Sequence, residues 1–246
     1  MSKLGSLSCF FPAYNEEANI AGLLDEALAT LPEFADRFEV LVIDDGSTDR
    51  TSDIVREYAM EHPEIRLVQH ENNLGYGHAL RTGLQQSTGD AVFFTDADLQ
   101  FHLSDIALLL QPFESADVVV GYRIKRRDPW HRLVVAGVYH VTLRRVFDLR
   151  VRDVDCAFKL FKRSVVDHLV GELESRSAFI SPELVIRAEL AGYKLSEVGV
   201  THYPRTAGQS GGATVKVIMR TIREMRSLRA DLRAKHLLGA HGPAKA

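Results

Sequence analysis

Short apolar runs alternate with segments of helical periodicity over the first 120 residues. Five runs have the composition of buried strands, at residues 7–11, 38–44, 65–69, 91–95 and 117–121. Between them, apolar residues recur at the i, i+3, i+4 spacing of amphipathic helices, after Asn15, after the N-cap candidate Asp49, over 79–86 and around 106–110. Strands that are apolar throughout and alternate with helices predict a mostly parallel sheet with helices on both faces. The predicted fold class is therefore α/β.

Polar residues follow four of these strands at their carboxyl ends. In a parallel sheet these ends meet at one edge, where such proteins bind their ligands. We therefore expect one crevice to collect the polar groups of all four strands. These groups are Tyr14, Asn15 and Glu16, then Asp44 and Asp45, then Asn72 and Asn73, and finally Asp96 and Asp98.

The regular alternation ends beyond Gly121. There follow a basic run at 123–127, a mixed apolar and basic segment at 130–147, a helix-like segment at 181–192 and a strand-like segment at 193–200. Residues 215–238 place apolar positions at helical spacing among arginines, which predicts a basic amphipathic helix. We expect one α/β domain over residues 1–212, and that helix with a disordered tail over 213–246.

Composition and charge narrow the class of protein. The 246 residues are 46% apolar and 26% charged, which excludes a mainly disordered or low-complexity chain. The net charge of −3 conceals a split, with 6 Lys and Arg against 21 Asp and Glu through Val118, and 24 against 12 afterwards. An acidic half followed by a basic half suggests a cation site and then an anionic partner. The alternative is that the two halves neutralise each other across their interface.

The sequence also bears on the compartment. The longest apolar candidate for a membrane span, residues 133–143, has 11 residues, whereas a spanning helix needs about 20. The N-terminal segment does not have the apolar run of a secretory signal. Cys9 and Cys156 have no CxxC or metal-ligand spacing, so we expect a reduced, cytosolic compartment.

The segment TDADLQ carries the most specific local chemistry. Asp96 and Asp98 lie two residues apart at a strand end and can face one hard divalent cation, with Gln100 as a nearby oxygen donor. Such a cation binds the phosphate oxygens of a nucleotide. An Asp-x-Asp triplet alone is common in acidic loops. Here the apolar strand before it and the acidic residues at the ends of other strands make a cation site a stronger prediction.

Other positions admit a functional and a structural interpretation. Asp44 and Asp45 can accept hydrogen bonds from a ribose hydroxyl or a base, or can simply form a turn. Arg123 and Arg205 can contact phosphate, or can be surface groups. No GxxxxGK[ST] segment occurs, and Leu80 replaces the third glycine of a dinucleotide-binding turn. These two findings exclude a P-loop enzyme and disfavour a dinucleotide site.

Taken in order, seven segments resemble a family-2 glycosyltransferase of the GT-A fold. They are FPAYNEE, VIDDGSTD, NLGYGHALRTG, TDADLQ, GYR, DVDCAFKLFKR and YPRTAGQS, and the match runs over residues 7–212. The pattern is most similar to polyprenyl-phosphate sugar synthases, the group that includes dolichol-phosphate mannose synthase. Each segment alone is weak evidence, whereas the ordered set is specific. The resemblance implies that residues 1–212 form the catalytic domain.

The resemblance also implies a set of site residues. Those implied to bind the nucleotide sugar are Pro12, Tyr14, Glu16, Ile43, Asp45, Asp96, Ala97, Asp98, Gln100, Arg123 and Arg205. Of these, Asp96, Asp98 and Gln100 would hold Mg²⁺ or Mn²⁺. The positions implied in catalysis are Asp98, Arg123, Asp153, Asp155 and Arg205. The arginines would contact the donor diphosphate or an acceptor phosphate, and Asp153 and Asp155 would lie beside the acceptor.

One departure from the family pattern concerns the acceptor. Ile180, Ser181 and Pro182 stand where many members that glycosylate a hydroxyl carry a Glu-Asp pair, whose Asp serves as general base. A hydroxyl acceptor benefits from a positioned base, whereas a lipid phosphate is already an anion near neutral pH. The departure favours a phosphate acceptor. Asp153, Asp155 or Glu183 could still act as base, which keeps a saccharide or other hydroxyl acceptor open.

The implied reaction is an inverting transfer of a sugar from GDP-mannose or a UDP-sugar to polyprenyl or dolichyl phosphate. We expect the protein to lie peripherally at the cytoplasmic face of an anionic membrane, through its basic C-terminal helix. A membrane-protein partner is a further candidate, and that helix could instead pack on the domain. No nucleic-acid partner is expected. A non-catalytic nucleotide-sugar-binding protein is the competing class, against which the intact acidic set argues.

Overall fold

The computed structural model describes residues 3–124, 130–205, 215–235 and 237. Within these ranges, seven strands form a single sheet and eight α-helices cover it. The strands are β1 Leu4–Ala13, β2 Ala35–Asp44, β3 Ile65–Gln69, β4 Ala91–Phe94, β5 Val118–Ile124, β6 Lys159–Lys162 and β7 Leu195–Thr201. The helices are α1 Ile20–Phe34, α2 Thr51–Glu61, α3 Tyr76–Gln86, α4 Ile106–Phe113, α5 Trp130–Phe147, α6 Arg163–Leu169, α7 Ile180–Leu190 and α8 Val215–Ala234.

The strand order across the sheet is β3-β2-β1-β4-β6-β5-β7. Strands β1 to β4 pair in parallel, and so do β5 and β7, whereas β6 runs antiparallel to both of its neighbours. The predicted α/β fold with a mostly parallel sheet is confirmed. The parallel pairing of β1 with β2 and with β4 places the carboxyl ends of these three strands at one edge.

Successive side chains of the central strands pack alternately into two hydrophobic clusters, one on each face of the sheet. Phe11 and Phe93 enter the cluster with α1 and α4, whereas Phe10 and Phe94 enter the cluster with α3, α5, α6, α7 and α8. The rings of Phe10 and Phe94 stack with centroids 5.4 Å apart. Burial on both faces explains why these strands are apolar throughout instead of alternating with polar residues.

Differences from the sequence-based expectation concern boundaries and one strand. Helix α3 begins at Tyr76, three residues before the predicted start, because the glycine-rich turn ends at Gly75, which has a φ of 96°. Helix α2 begins at Thr51, whose backbone N–H donates to the Asp49 carboxylate at 3.0 Å. Periodicity predicts no strand at the position of the short antiparallel strand β6, because four residues are too few to show a pattern.

The basic C-terminal helix α8 packs on the domain along its second half. Leu228 and Leu232 are buried in the cluster with α3, α5, α6 and α7, and Met225 packs against it. The Asp231 carboxylate lies 2.9 Å from a guanidinium nitrogen of the buried Arg187 on α7. The predicted boundary after residue 212 and the predicted tail lie outside the described residues, so the division at that point stays a prediction. Of the helices described, none is long and apolar enough to cross a membrane.

The close contact between α3 and β1 makes Gly83 a sensitive position. A Cβ atom built on Gly83 would lie 2.2 Å from Cδ2 of the buried Phe10 ring. We expect Gly83→Ala to lower the free energy of unfolding by about 1–3 kcal/mol, because the ring has to move within a close-packed core. Urea denaturation monitored by circular dichroism measures this change.

The matched control is Gly137→Ala in α5, where no described atom lies within 4 Å of the added Cβ. This variant should gain about 0.5–1 kcal/mol, because alanine restricts the unfolded chain and favours the helix. Equal effects of the two substitutions would contradict the packing assigned to Gly83.

Candidate active site

A cleft of about 290 Å³ opens at the carboxyl ends of β1, β2 and β4. Its lining residues are Pro12, Ala13, Tyr14, Glu16, Asp45, Asn73, Gly75, Tyr76, Ala79, Asp96, Ala97, Asp98 and Arg205. Eight of the eleven residues expected to bind a nucleotide sugar are among them. Ile43, Gln100 and Arg123 are not, and the structure therefore places most of the predicted set, but not all of it, around one space.

The loop after β1 is fixed by the loop after β2. Asn15 adopts a positive φ of 56°, a conformation that asparagine tolerates better than most residues. Its Oδ1 accepts a hydrogen bond from the Thr48 backbone N–H at 2.8 Å, and its own N–H donates to Ser47 Oγ at 2.9 Å. The adjoining Glu16 N–H donates to Thr51 Oγ1 at 2.9 Å. These bonds set where Tyr14 and Glu16 enter the cleft.

Asp45 holds the glycine-rich turn against the end of β2. Its carboxylate accepts hydrogen bonds from the backbone N–H groups of Leu74 at 2.9 Å and Gly75 at 2.7 Å. The His70 ring nitrogen Nδ1 lies 2.8 Å from the same carboxylate, and Nε2 lies 3.0 Å from Thr82 Oγ1. Asp45 thus shapes the cleft wall as well as lining it. Sequence reasoning missed His70, because nothing local marks a partner 25 residues away.

Ile43 and Asp44, the two residues that directly precede Asp45, have buried side chains. The Asp44 carboxylate is buried and accepts hydrogen bonds from the Ser47 N–H at 3.0 Å and from Gln69 Nε2 at 3.0 Å. This matches the turn interpretation. The side chain of Ile43 is fully buried in the hydrophobic cluster on the α3 face of the sheet, so it does not face the cleft.

The acidic pair Asp96 and Asp98 dominates the electrostatics of the cleft. Burial, with the charge of Asp98 adding to it, raises the pKa of Asp96 to about 7, although the Tyr76 hydroxyl and the more distant Lys159 and Arg205 oppose the shift. Tyr76 donates its hydroxyl to Asp96 Oδ1 at 2.9 Å. Burial is also the main cause that raises the pKa of Glu16 on the facing loop. The negative charges of Asp96 and Glu16 are therefore poorly solvated in this cleft.

Arg205 supplies a positive charge to this pair. Its Nη2 donates to Asp98 Oδ2 at 2.6 Å, and the Asp98 side chain is only 5% exposed. The segment after β7 brings Arg205 there, because Tyr203 N–H donates to the Gln100 carbonyl at 2.9 Å and the Tyr203 ring packs on His102. The glycine-rich loop that follows, with Ser210, lies outside the described residues.

The donor set fits a hard divalent cation. Two carboxylates directed into one partly buried cleft, one of them with a raised pKa, are relieved by a cation of charge two. The Gln100 side-chain amide donates through Nε2 to the Tyr203 carbonyl at 3.1 Å, and its Oε1 is the atom that would serve as the predicted third ligand. The role of Gln100 as third ligand stays a prediction.

The remaining predicted residues form a second group outside the cleft. Arg123 Nε and Nη2 donate to the two carboxylate oxygens of Asp153, at 2.7 and 2.8 Å. Burial opposes the charge of Arg123, but these bonds and the charge of Asp153 keep its pKa above the usual value. Asp155 Oδ2 lies 3.0 Å from Nε2 of His140. Arg123 therefore binds a carboxylate in this structure, and its contact with a phosphate stays a prediction.

Glu183 is not available as a base. It is 1% exposed and accepts hydrogen bonds from the N–H groups of Glu174 at 3.1 Å and Ser175 at 2.8 Å. It also accepts one from Arg187 Nε at 2.9 Å. The candidate role of Glu183 as general base is therefore wrong, because the carboxylate serves to join α7 to the preceding loop.

Lys159 is a buried cation that sequence reasoning missed. Its Nζ donates to Ser181 Oγ at 2.7 Å and to the Cys156 carbonyl, and burial lowers its pKa. Its charge acts on Asp96 from behind the cleft, where it lowers the pKa of that carboxylate. A lysine within an apolar run of a four-residue strand could have been noticed as a candidate.

The family described as glycosyl transferase family 2 matches residues 8–170, about two thirds of the chain. The chain belongs to glycosyl transferase family 2. This confirms the resemblance inferred from the seven ordered segments. The mostly parallel sheet with its flanking helices is accordingly the GT-A fold.

Several curated members of the family are similar to this chain. A dolichyl-phosphate beta-glucosyltransferase of Trichomonas vaginalis is 31% identical over 77% of this chain and 61% of its own length. A dodecaprenyl-phosphate galacturonate synthase of Rhizobium johnstonii is 28% identical over 96% and 71%. An undecaprenyl-phosphate 4-deoxy-4-formamido-L-arabinose transferase of Pectobacterium carotovorum is 30% identical over 87% and 64%. The chain thus spans between 61% and 71% of the length of these three relatives.

Solved structures agree on the fold. Glucosyl-3-phosphoglycerate synthase from Mycobacterium tuberculosis, in complex with Mn²⁺, uridine diphosphate and phosphoglyceric acid, superposes with a TM-score of 0.70 at 20% identity. The superposition covers 92% of this chain and 78% of that one. The complex of the same enzyme with Mg²⁺ and uridine diphosphate gives a TM-score of 0.68 at 21% identity. At this level of identity the likeness concerns the fold.

The contact between Arg205 and Asp98 predicts a competition with metal. We expect Arg205→Gln to tighten Mg²⁺ binding to the donor-free protein by about fivefold, near 1 kcal/mol, because a cation that the metal must displace is removed. The measurement is the rise of the unfolding temperature with Mg²⁺ concentration, from which the dissociation constant follows.

Arg66→Gln is the control for net charge, since Arg66 pairs with Glu39 at 3.5 Å away from the cleft. If both variants bind Mg²⁺ equally well, Arg205 does not compete with the cation.

Proposed function

We propose that this family-2 glycosyltransferase transfers a sugar, with inversion, from a nucleotide-diphosphate sugar to a polyprenyl phosphate. The observation that carries the donor half is the acidic pair Asp96 and Asp98 facing Arg205 in one cleft at the strand ends. The acceptor half is supported by relatives named for dolichyl, dodecaprenyl and undecaprenyl phosphates. The burial of Glu183, which removes one candidate base, also favours a phosphate acceptor.

The donor half follows from the residues around the cleft. Mg²⁺ or Mn²⁺, held by Asp96 and Asp98 with Gln100 as the further candidate ligand, would neutralise charge on the departing nucleoside diphosphate. Tyr76 orients Asp96 through its hydroxyl. Arg205, once released from Asp98, can turn its planar guanidinium to the diphosphate. The nucleoside would lie against the cleft wall. The residues of this wall that were also expected from the sequence to bind the nucleotide sugar are Pro12, Tyr14, Glu16, Asp45 and Ala97.

The acceptor half needs no proton transfer. A phosphate oxygen of the lipid attacks the anomeric carbon of the sugar from the face opposite the diphosphate. A carbon–oxygen bond to the acceptor forms as the carbon–oxygen bond to the nucleoside diphosphate breaks, and the nucleoside diphosphate leaves as an anion. Asp153 and Asp155 are proposed to lie beside the acceptor, with Arg123 held next to them by its two hydrogen bonds to Asp153. The protein's role is then positioning and charge stabilisation.

Membrane attachment is proposed to use the exposed parts of α5 and α8. Val138 on α5 is 65% exposed, and Ile218 and Met219 on α8 are 40% and 57% exposed. Arginines 220, 223 and 226 follow directly on α8. Since Leu228 and Leu232 on α8 pack on the domain, we propose that the exposed side chains at positions 218, 219, 220, 223 and 226 meet an anionic surface. A membrane-protein partner at the cytoplasmic face remains a further candidate.

The test of the function is the fate of the sugar. With a panel of labelled GDP- and UDP-sugars, we expect one donor to send label into the organic phase when polyprenyl phosphate is present, and none when free polyprenol replaces it. Asp98→Asn should reduce this transfer at least about 100-fold, because it removes a charge from the metal site. Asp25→Asn, at an exposed carboxylate bonded to Tyr58, is the control and should keep full transfer.

Two results would refute the proposal. Label that moves efficiently to a soluble saccharide while polyprenyl phosphate stays inert would establish the hydroxyl-acceptor alternative. Full transfer by Asp98→Asn, or in excess chelator, would remove the acidic pair from the reaction.

The membrane proposal predicts reversible, salt-sensitive binding. Near an anionic surface each basic residue contributes about 1 kcal/mol, and salt screens this attraction. We expect the triple variant with Glu at Arg220, Arg223 and Arg226 to lose most of its cosedimentation with anionic liposomes at low salt, while it still binds nucleotide.

A control with Glu at Arg50, Arg56 and Arg66 has the same net charge, but carries its changes just before α2, on α2 and on β3. α2 packs into the cluster on the other face of the sheet through Val55. Equal loss of binding in both triple variants would mean that net charge alone, and not this surface, governs attachment.

A further inference from the structure

Three potential metal ligands meet outside the cleft, between α5 and the segment that precedes β6. His140 Nε2 lies 3.0 Å from Asp155 Oδ2 and 3.8 Å from Asp153 Oδ1. One ligand atom from each of the three residues lies within 4.8 Å of the other two. His140 and Asp153 are shielded from solvent, with side chains 13% and 9% exposed, whereas Asp155 is 31% exposed. The cluster therefore has one open side.

The other ring nitrogen of His140 fixes which atom faces the carboxylates. Nδ1 lies 3.0 Å from the Arg152 carbonyl oxygen, which can only accept, so Nδ1 carries a proton. In the neutral ring, Nε2 then presents a lone pair to two carboxylates, and this repulsion is removed either by a proton on Nε2 or by a metal cation between the three groups. A histidine whose second N–H donates to a backbone carbonyl is the usual arrangement of a metal-bound imidazole.

Both carboxylates are held in place by a further group. Arg123 binds both oxygens of Asp153 at 2.7 and 2.8 Å, and the Tyr139 hydroxyl lies 3.4 Å from Asp155 Oδ1. Each of the three candidate ligands thus has a supporting contact, as in established metal sites. This support is the second feature, beside the distances, that distinguishes the cluster from an ordinary group of acidic residues.

The charge of the cluster also suits a divalent cation. With neutral His140, two aspartates and Arg123 leave one net negative charge. A divalent cation converts this to one net positive charge, which suits an anionic ligand on the open side beside Asp155. A proton on Nε2 is the competing occupant, and it would leave the cluster neutral.

We propose that His140, Asp153 and Asp155 form a site for one first-row divalent cation, with Zn²⁺ the preferred ion. An imidazole nitrogen with two carboxylates favours Zn²⁺ over Mg²⁺, which prefers oxygen ligands and keeps several waters. The bound ion would join α5 to residues 153–155 and place positive charge beside Arg123. The site rests on this geometry alone and stands whichever acceptor the enzyme uses.

The test uses the full chain, stripped of metal and then kept in excess Mg²⁺ to fill the acidic pair of the cleft. We expect Zn²⁺ to bind with one site per chain by calorimetry. His140→Ala should weaken this binding at least about 100-fold, since loss of a supporting group alone weakens metal binding about 10–100-fold. His168→Ala is the matched control, because His168 contacts the hydroxyl and ring of Tyr193 on another part of the domain, and this variant should bind Zn²⁺ as the wild type does.

Nitrogen NMR of the labelled histidines supplies a readout that no change in folding could imitate. On addition of Zn²⁺ the Nε2 signal of His140 should move to the metal-bound range while its Nδ1 stays protonated. If His140→Ala proves unfolded by circular dichroism, Asp155→Asn keeps the ring and should weaken Zn²⁺ binding by at least about tenfold. Zn²⁺ affinity unchanged in the folded variants, or a His140 Nε2 that stays protonated at saturating Zn²⁺, would overturn the proposal.

Discussion

The repulsion between Asp96 and Asp98 at the end of β4 is the constraint on which the candidate active site depends. Asp98 is buried and Asp96 is partly buried, and burial together with the charge of Asp98 raises the pKa of Asp96 to about 7. Three groups stabilise the negative charge of this pair, namely the Tyr76 hydroxyl, the Arg205 guanidinium and the buried Lys159 ammonium. We therefore expect a divalent cation and the Arg205 guanidinium to compete for Asp98.

The sheet explains why these groups meet. Parallel pairing of β1 with β2 and β4 brings the ends of three strands to one edge, so that loops far apart in sequence share a cleft. The reversed strand β6 adds a different element, because it inserts Lys159 behind the acidic pair and starts from the segment that carries Asp153 and Asp155. The charge of the buried Lys159 thus interacts with Asp96 and also with Asp153 and Asp155.

Sequence reasoning was most successful where periodicity and position suffice. The apolar runs predicted β1 to β5, and the polar residues at strand ends predicted most of the cleft, because a parallel sheet brings such ends together. The contacts that organise the site could not be predicted from the sequence. Asp153 lies 30 residues from Arg123, and Asp96 lies 20 residues from Tyr76, and no local pattern marks either partnership. The residue roles and the division after residue 212 stay predictions.

The most direct measurement is the anomalous scattering of Mn²⁺ in crystals of the protein grown with a nucleoside diphosphate. We expect an anomalous peak coordinated by Asp96 and Asp98 in the cleft, with the Arg205 guanidinium moved from Asp98 to the diphosphate. A cleft that binds the nucleotide while Arg205 stays on Asp98 and no Mn²⁺ peak lies at the acidic pair would contradict this expectation.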